Sequence, residues 1–146
     1  HEGIAIVLLD IEEKPLTRTE FYTKIREIID KSNLKNVHIL VFMPYFGIVP
    51  EELCETFPLS QHEKEYDDNV LNYTVNITEK YFRKNVDAYS KIIFVVKKEN
   101  KRLAETLWKK LEILFKNMEI ITYEKTAEVI DKLSHIMRNS SLDSSL

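Results

Sequence analysis

The sequence predicts an α/β domain: three layers, α/β/α, around a mostly parallel sheet. Three observations lead there. Continuous apolar runs recur at residues 4–9, 37–43 and 91–96, with a shorter one at 118–122, and unbroken runs of this kind mark strands covered on both faces. Amphipathic segments of helical period lie between the runs, so strand and helix alternate, and the crossovers should be right-handed. The 146 residues suit one ordinary domain with a core of its own. We expect that domain over residues 1–138 and a flexible tail over 139–146, which is rich in Ser.

Each element has its own justification. Ile4-Ala5-Ile6-Val7-Leu8-Leu9 is the first strand. Residues 17–32 place Phe21, Ile25, Ile28 and Ile29 on one helical face, and Thr17-Arg18-Thr19-Glu20 fits a capping box. The second strand, 37–43, holds His38 as its one strongly polar member, expected at the core or an edge. Residues 69–85 are ambiguous. Leu71, Tyr73, Val75 and Ile77 alternate with polar residues at period two, while Val70, Thr74, Ile77 and Tyr81 form a helical stripe. Helix is preferred, because a parallel neighbour needs a crossover and Asp67-Asp68 can cap its start. The third strand is 91–96. Residues 100–116 form a helix with Leu103, Leu107, Leu111 and Leu114 on one stripe. After the strand at 118–122, residues 124–137 place Ala127, Ile130, Leu133 and Met137 together.

The connection 44–66 is long for a compact domain. Its apolar and aromatic content means that it packs, and Pro50 can open a short helix.

Composition excludes several classes. The chain has 21 Lys+Arg against 24 Asp+Glu, a net charge of −3, which disfavours binding nucleic acid by bulk charge. Two glycines leave no Gly-rich phosphate loop. One cysteine, Cys54, allows no internal disulfide and suits the reducing cytoplasm; it reads as a small buried residue. No apolar run is long enough to span a bilayer, so no membrane partner is expected. No metal or cofactor motif is present, and none is expected.

In an open parallel sheet, ligands bind beyond the carboxyl ends of the strands. The segments 10–19, 44–62 and 97–101 leave those ends, and the first two would form a pocket rim if their strands are neighbours. Asp10, at a strand end, is a candidate base or metal ligand; the preferred reading has it cap a turn, with Glu12 and Glu13 solvated. His62 is a candidate acid/base or phosphate contact, or else an exposed loop histidine. No second histidine lies near it.

The run Gly47-Ile48-Val49-Pro50-Glu51-Glu52-Leu53-Cys54-Glu55-Thr56-Phe57-Pro58 is more specific. It resembles the G-x-V-P-x-E-L-x-x-x-[YF]-P signature of the archaeosine synthase catalytic core, the archaeal paralogue of tRNA-guanine transglycosylase. The resemblance covers roughly residues 4–121. It implies a uracil-DNA-glycosylase-like fold and a role in tRNA modification. The family's enzyme attacks the nitrile of a cyano-deazaguanine base already placed in tRNA. Its signature after the first strand, P-C-x3-K-P-Y-x2-S-x2-H, aligns with residues 9–22. Lys14 and Pro15 match, and Thr19 keeps a hydroxyl. Asp10 holds the cysteine position, Leu16 the tyrosine position and Tyr22 the histidine position. A thiolate attack on a nitrile needs that cysteine.

The resemblance therefore implies a non-catalytic or accessory domain that works with a protein partner and meets tRNA through it. Lys14, Thr19, Tyr45, Gly47, Pro50, Phe57 and Pro58 are the binding residues it points to. The alternatives are a nucleobase- or nucleoside-processing enzyme using Asp10, Glu52 and His62, or a structural interaction domain. The enzyme needs at least two of those three groups at one cavity.

Overall fold

The computed structural model describes residues 3–10, 20–56 and 67–145. In chain order the elements are β1 (Ile4–Leu8), α1 (Glu20–Ser32), β2 (Val37–Met43), β3 (Gly47–Pro50), α2 (Asp68–Lys84), β4 (Lys91–Lys97), α3 (Lys101–Leu111), β5 (Met118–Tyr123) and α4 (Thr126–Ser145). Their order in the sheet is β3-β2-β1-β4-β5, parallel except for β3, which runs antiparallel to β2.

Alternate residues of the unbroken apolar strands feed two cores. Ile6, Leu8, Ile39, Val41, Ile93 and Val95 face α1 and α4. Ala5, Val7, Leu40, Phe42, Phe94 and Val96 face α2 and α3. This is the three-layer arrangement. The chain leaves β1 in one direction to reach β2, with α1 on one face. It crosses back over β1 to reach β4, with α2 on the other face. The handedness rule for parallel crossovers requires that exchange of faces when the direction reverses.

Helix wins over strand at α2. Val70, Thr74, Val75, Thr78 and Phe82 are buried at helical spacing. The Asp67 carboxylate caps the start by accepting the Val70 N–H at 3.0 Å. The two buried threonines satisfy their hydroxyls within the helix, Thr74 on the Val70 carbonyl and Thr78 on the Thr74 carbonyl.

Three details differ from the sequence reading. The connection after β2 contains a strand, β3, formed through a tight turn at Met43-Pro44-Tyr45-Phe46 that the Phe46 N–H closes on the Met43 carbonyl at 3.2 Å. Tyr45 takes φ 69° at the position where such turns favour Gly or Asn, so neither a turn nor a strand was evident locally. The short helix expected at Pro50 is present as a 3₁₀ turn, Glu51–Thr56. On α4 the buried stripe is Val129, Leu133 and Met137, while Ala127 is exposed and Ile130 only half-buried; the larger, branched Val129 takes the core position. Helix α4 also continues through Ser145, into the Ser-rich segment. His38 is an exposed residue of β2, and its Nδ1 lies 3.0 Å from the buried Tyr89 hydroxyl.

Both glycines are required. A Cβ on Gly3 would lie 2.1 Å from the Ala88 carbonyl oxygen. Gly47 has φ 76°, and a Cβ there would lie 2.8 Å from Ile77 Cγ2. That second contact is what lets α2 sit directly on the start of β3.

Candidate binding pocket at the carboxyl ends of β1 and β4

The strand order reverses at β1: the chain goes to β2 on one side and later to β4 on the other. A crevice at such a point is the expected ligand site of an open α/β sheet. A cavity of about 420 Å³ lies there. Leu9, Phe42, Pro44, Leu71 and Leu103 form its apolar walls, and Asp10, Lys97, Glu99, Asn100 and Arg102 its polar side. The larger groove, about 690 Å³, lies between α1 and α4, rimmed by Lys24, Glu27, Asp131 and Arg138.

Asp10 is half-buried at the β1 end. Its Oδ2 accepts the backbone N–H of Lys97, and its Oδ1 accepts the Asn100 side-chain amide at 2.6 Å. Asn100 precedes α3 but makes no side-chain cap of its own; its amide is turned back to Asp10 instead. The carboxylate thus fastens the end of β1 to the turn that starts α3, where a negative charge also complements the helix dipole. Both oxygens are engaged. The turn-cap reading of Asp10 describes this geometry.

Tyr45 and Gly47 lie at the same end of the sheet, since Gly47 pairs with Met43. Tyr45 is held in its left-handed conformation by its own N–H, which donates to Thr74 Oγ1 at 3.0 Å. The same hydroxyl donates to the Val70 carbonyl, so α2 anchors the turn beside the cavity.

Pro50 and Glu52 lie away from that end, Pro50 midway along β2 and Glu52 past it in the chain. Antiparallel β3 pairs Pro50 with Leu40 and carries the chain back toward the start of β2. By register, Asp10 is level with Met43, whereas Glu52 belongs to the 3₁₀ turn that follows Pro50, which is paired with Leu40. Glu52 does not line the cavity that Asp10 lines. Its neighbour Glu51 pairs with Arg26 of α1 at 3.1 Å, joining the 3₁₀ turn to the helical layer. Tyr22, at the histidine position of the aligned motif, packs with the α1–α4 core, across the sheet from the cavity. Lys14, Thr19, Phe57, Pro58 and His62 lie outside the described residues.

The sequence reading named the 97–101 segment but no residue in it. The missed groups, Lys97 and Asn100, become site residues only once β4 is known to lie beside β1; Arg102, on the charged face of the helix over 100–116, also lines the cavity. Among the described residues, no group of three His, Cys, Asp or Glu side chains is placed to hold a metal ion. No described helix is long and apolar enough to cross a membrane.

The fold and cavity define a class: a doubly wound α/β domain with a small pocket at its switch point. Comparison with known proteins then gives a direction. The chain is 34% identical over 59 residues to a tRNA-guanine(15) transglycosylase of Pyrobaculum aerophilum, covering 40% of this chain and 11% of that protein. It is 30% identical over 120 residues to a tRNA-guanine(15) transglycosylase of Saccharolobus solfataricus, covering 81% of this chain and 18% of that protein. The chain is therefore distantly similar to a part of these archaeal enzymes and spans less than a fifth of their length. No protein-family profile matches the chain. No solved structure matches it.

Proposed function

We propose that this chain serves tRNA modification as a non-catalytic or accessory domain of the archaeosine-synthase-like kind, in the cytoplasm, working with a protein partner that carries the tRNA. The similarity to two tRNA-guanine(15) transglycosylases supports the link to tRNA modification. One observation carries the non-catalytic part. The position that resembles the family's nucleophilic cysteine holds Asp10, and both of its carboxylate oxygens are tied to the β4–α3 turn. Aspartate is a weak nucleophile toward a nitrile, and here it has a structural task. The net charge of −3 favours a protein partner over unaided tRNA binding. The three-layer fold is compatible with the uracil-DNA-glycosylase-like architecture that the resemblance implies.

Of the pairs the enzyme alternative could use, Asp10 with Glu52 is disfavoured, since Glu52 does not line the cavity that Asp10 lines; the pairs with His62 fall outside the described residues. The test is capture of the tagged chain from its source cell, with protein and RNA both identified. A tRNA-guanine transglycosylase or archaeosine synthase recovered with its tRNA supports the proposal. Recovery of neither sinks it.

A further inference from the structure

The two edges of the sheet are finished differently. Edge strand β3 has four residues, ends at Pro50 and turns at once into a 3₁₀ helix. A short edge closed by proline resists pairing with another chain. Edge strand β5 has six residues, Met-Glu-Ile-Ile-Thr-Tyr, and no proline.

The hydrogen-bond phase of β5 shows which of its groups are free. Ile92 N–H bonds the Asn117 carbonyl, and Ile92 is level with Met118 in the parallel register. In a parallel ladder the bonds to β4 then fall on residues 117, 119, 121 and 123. Met118, Ile120 and Thr122 turn their N–H and C=O groups outward. The Thr122 carbonyl confirms this phase, since it accepts the Lys132 ammonium at 3.2 Å from outside the sheet. Among the described residues, nothing bonds the outward groups of Met118 and Ile120.

Grooves flank this edge on both faces. One, about 480 Å³, lies against α3 beside Trp108 and Ile120. The other, about 470 Å³, lies against α4 beside Ile121 and Ile136. We propose that the β5 edge is a self-association site, where a second copy of this chain adds its own β5 in antiparallel orientation and extends the sheet across a two-fold axis.

The register follows from the free groups. Ile120 opposite its own copy makes an exchanging hydrogen-bonded pair, and Thr122 opposite Met118 of the copy makes another on each side of the axis. Outward groups then meet outward groups, with the Thr122 carbonyl accepting a second hydrogen bond beside that of Lys132. The same register is charge-complementary. Lys132, fixed at Thr122, comes within one residue of Glu119 of the copy, on the α4 face where both side chains lie, and would add to the pair that Glu119 makes with Lys91 of its own chain at 2.9 Å. The two-fold repeats that contact, as an isologous interface requires. On the other face Ile120 stacks on its copy between the two Trp108 rings, removing half-buried apolar surface from water.

The test is sedimentation equilibrium of the 146-residue chain from 1 to 200 µM, with two single variants. Wild type dimerises in this range. Ile120→Lys opposes two like charges on the axis and raises the dimer Kd at least tenfold, while its thermal unfolding at low concentration stays cooperative. Ile113→Lys, at the most exposed large apolar residue among those described but outside β5, leaves the Kd within twofold. A wild type that is monomeric throughout overturns the proposal. So does an Ile120→Lys variant that dimerises like wild type.

Discussion

Replacing Asp10 by alanine tests the clamp at the pocket directly. The substitution removes two hydrogen bonds to a carboxylate, one from the Lys97 N–H and one from the Asn100 amide. Bonds to charged acceptors contribute roughly 1.5–3 kcal/mol each, and the half-exposed setting of Asp10 places these at the low end, because water can replace part of the loss. The expected destabilisation is about 2–3 kcal/mol. For a domain of this size that lowers Tm by about 6–12 °C. The assay is urea unfolding followed by far-UV circular dichroism, at constant m-value. Asn100→Ala loses one of the two bonds and costs about 1 kcal/mol. The double variant should fall short of the sum by about 1 kcal/mol, since the Asp10–Asn100 bond is counted twice. Asp10→Cys should behave like Asp10→Ala, because a thiol cannot accept both bonds. A loss under about 0.5 kcal/mol for Asp10→Ala would refute the clamp, that being the range of ordinary surface substitutions.

Three other outcomes follow from the same structure. Gly47→Ala combines a left-handed backbone with a 2.8 Å approach to Ile77 Cγ2, and should cost about 2–4 kcal/mol in chemical denaturation; Ile77→Ala in the same chain should recover part of that cost. Thr74→Val strands the Tyr45 N–H and should cost about 1–2 kcal/mol, whereas Thr78→Val, whose hydroxyl only back-bonds its own helix, should be nearly neutral by the same assay. Burial first, then the Tyr81 hydroxyl, raises the Tyr89 phenol above its ordinary 10.0, so the unfolded chain releases this proton before the folded one does. Its contribution is whole below pH 10 and declines as pH rises beyond it, so Tm should fall from pH 9.5 to 11.5 and fall less steeply in Tyr89→Phe.

The parallel strands were legible because each is apolar on both faces, and that pattern survives without tertiary context. The period-two alternation of residues 71–78 competed with a helical stripe in the same residues, and topology settled it: β3 and β4 lie on opposite sides of β1, and α2 is the link between them. Strand β3 was hidden because its turn places Tyr45, not glycine, at positive φ and because Pro50 closes it early. Asp10 was visible as a polar residue closing an apolar run. Its partners were not, since Lys97 and Asn100 approach it only through the β1–β4 pairing, 87 and 90 residues away in the chain. Glu52 shows the reverse case. It belongs to a distinctive sequence signature, yet the antiparallel direction of β3 carries it away from the carboxyl ends that Asp10 marks.

The measurement closest to the central claim is nucleoside mass spectrometry of tRNA that carries the cyano-deazaguanine base, incubated with this chain and an amino donor. The account predicts no conversion by the chain alone, and none by Asp10→Ala. Conversion at an enzyme-like rate by the wild-type chain, lost in Asp10→Ala while the variant remains folded, would contradict it and make Asp10 a catalytic residue.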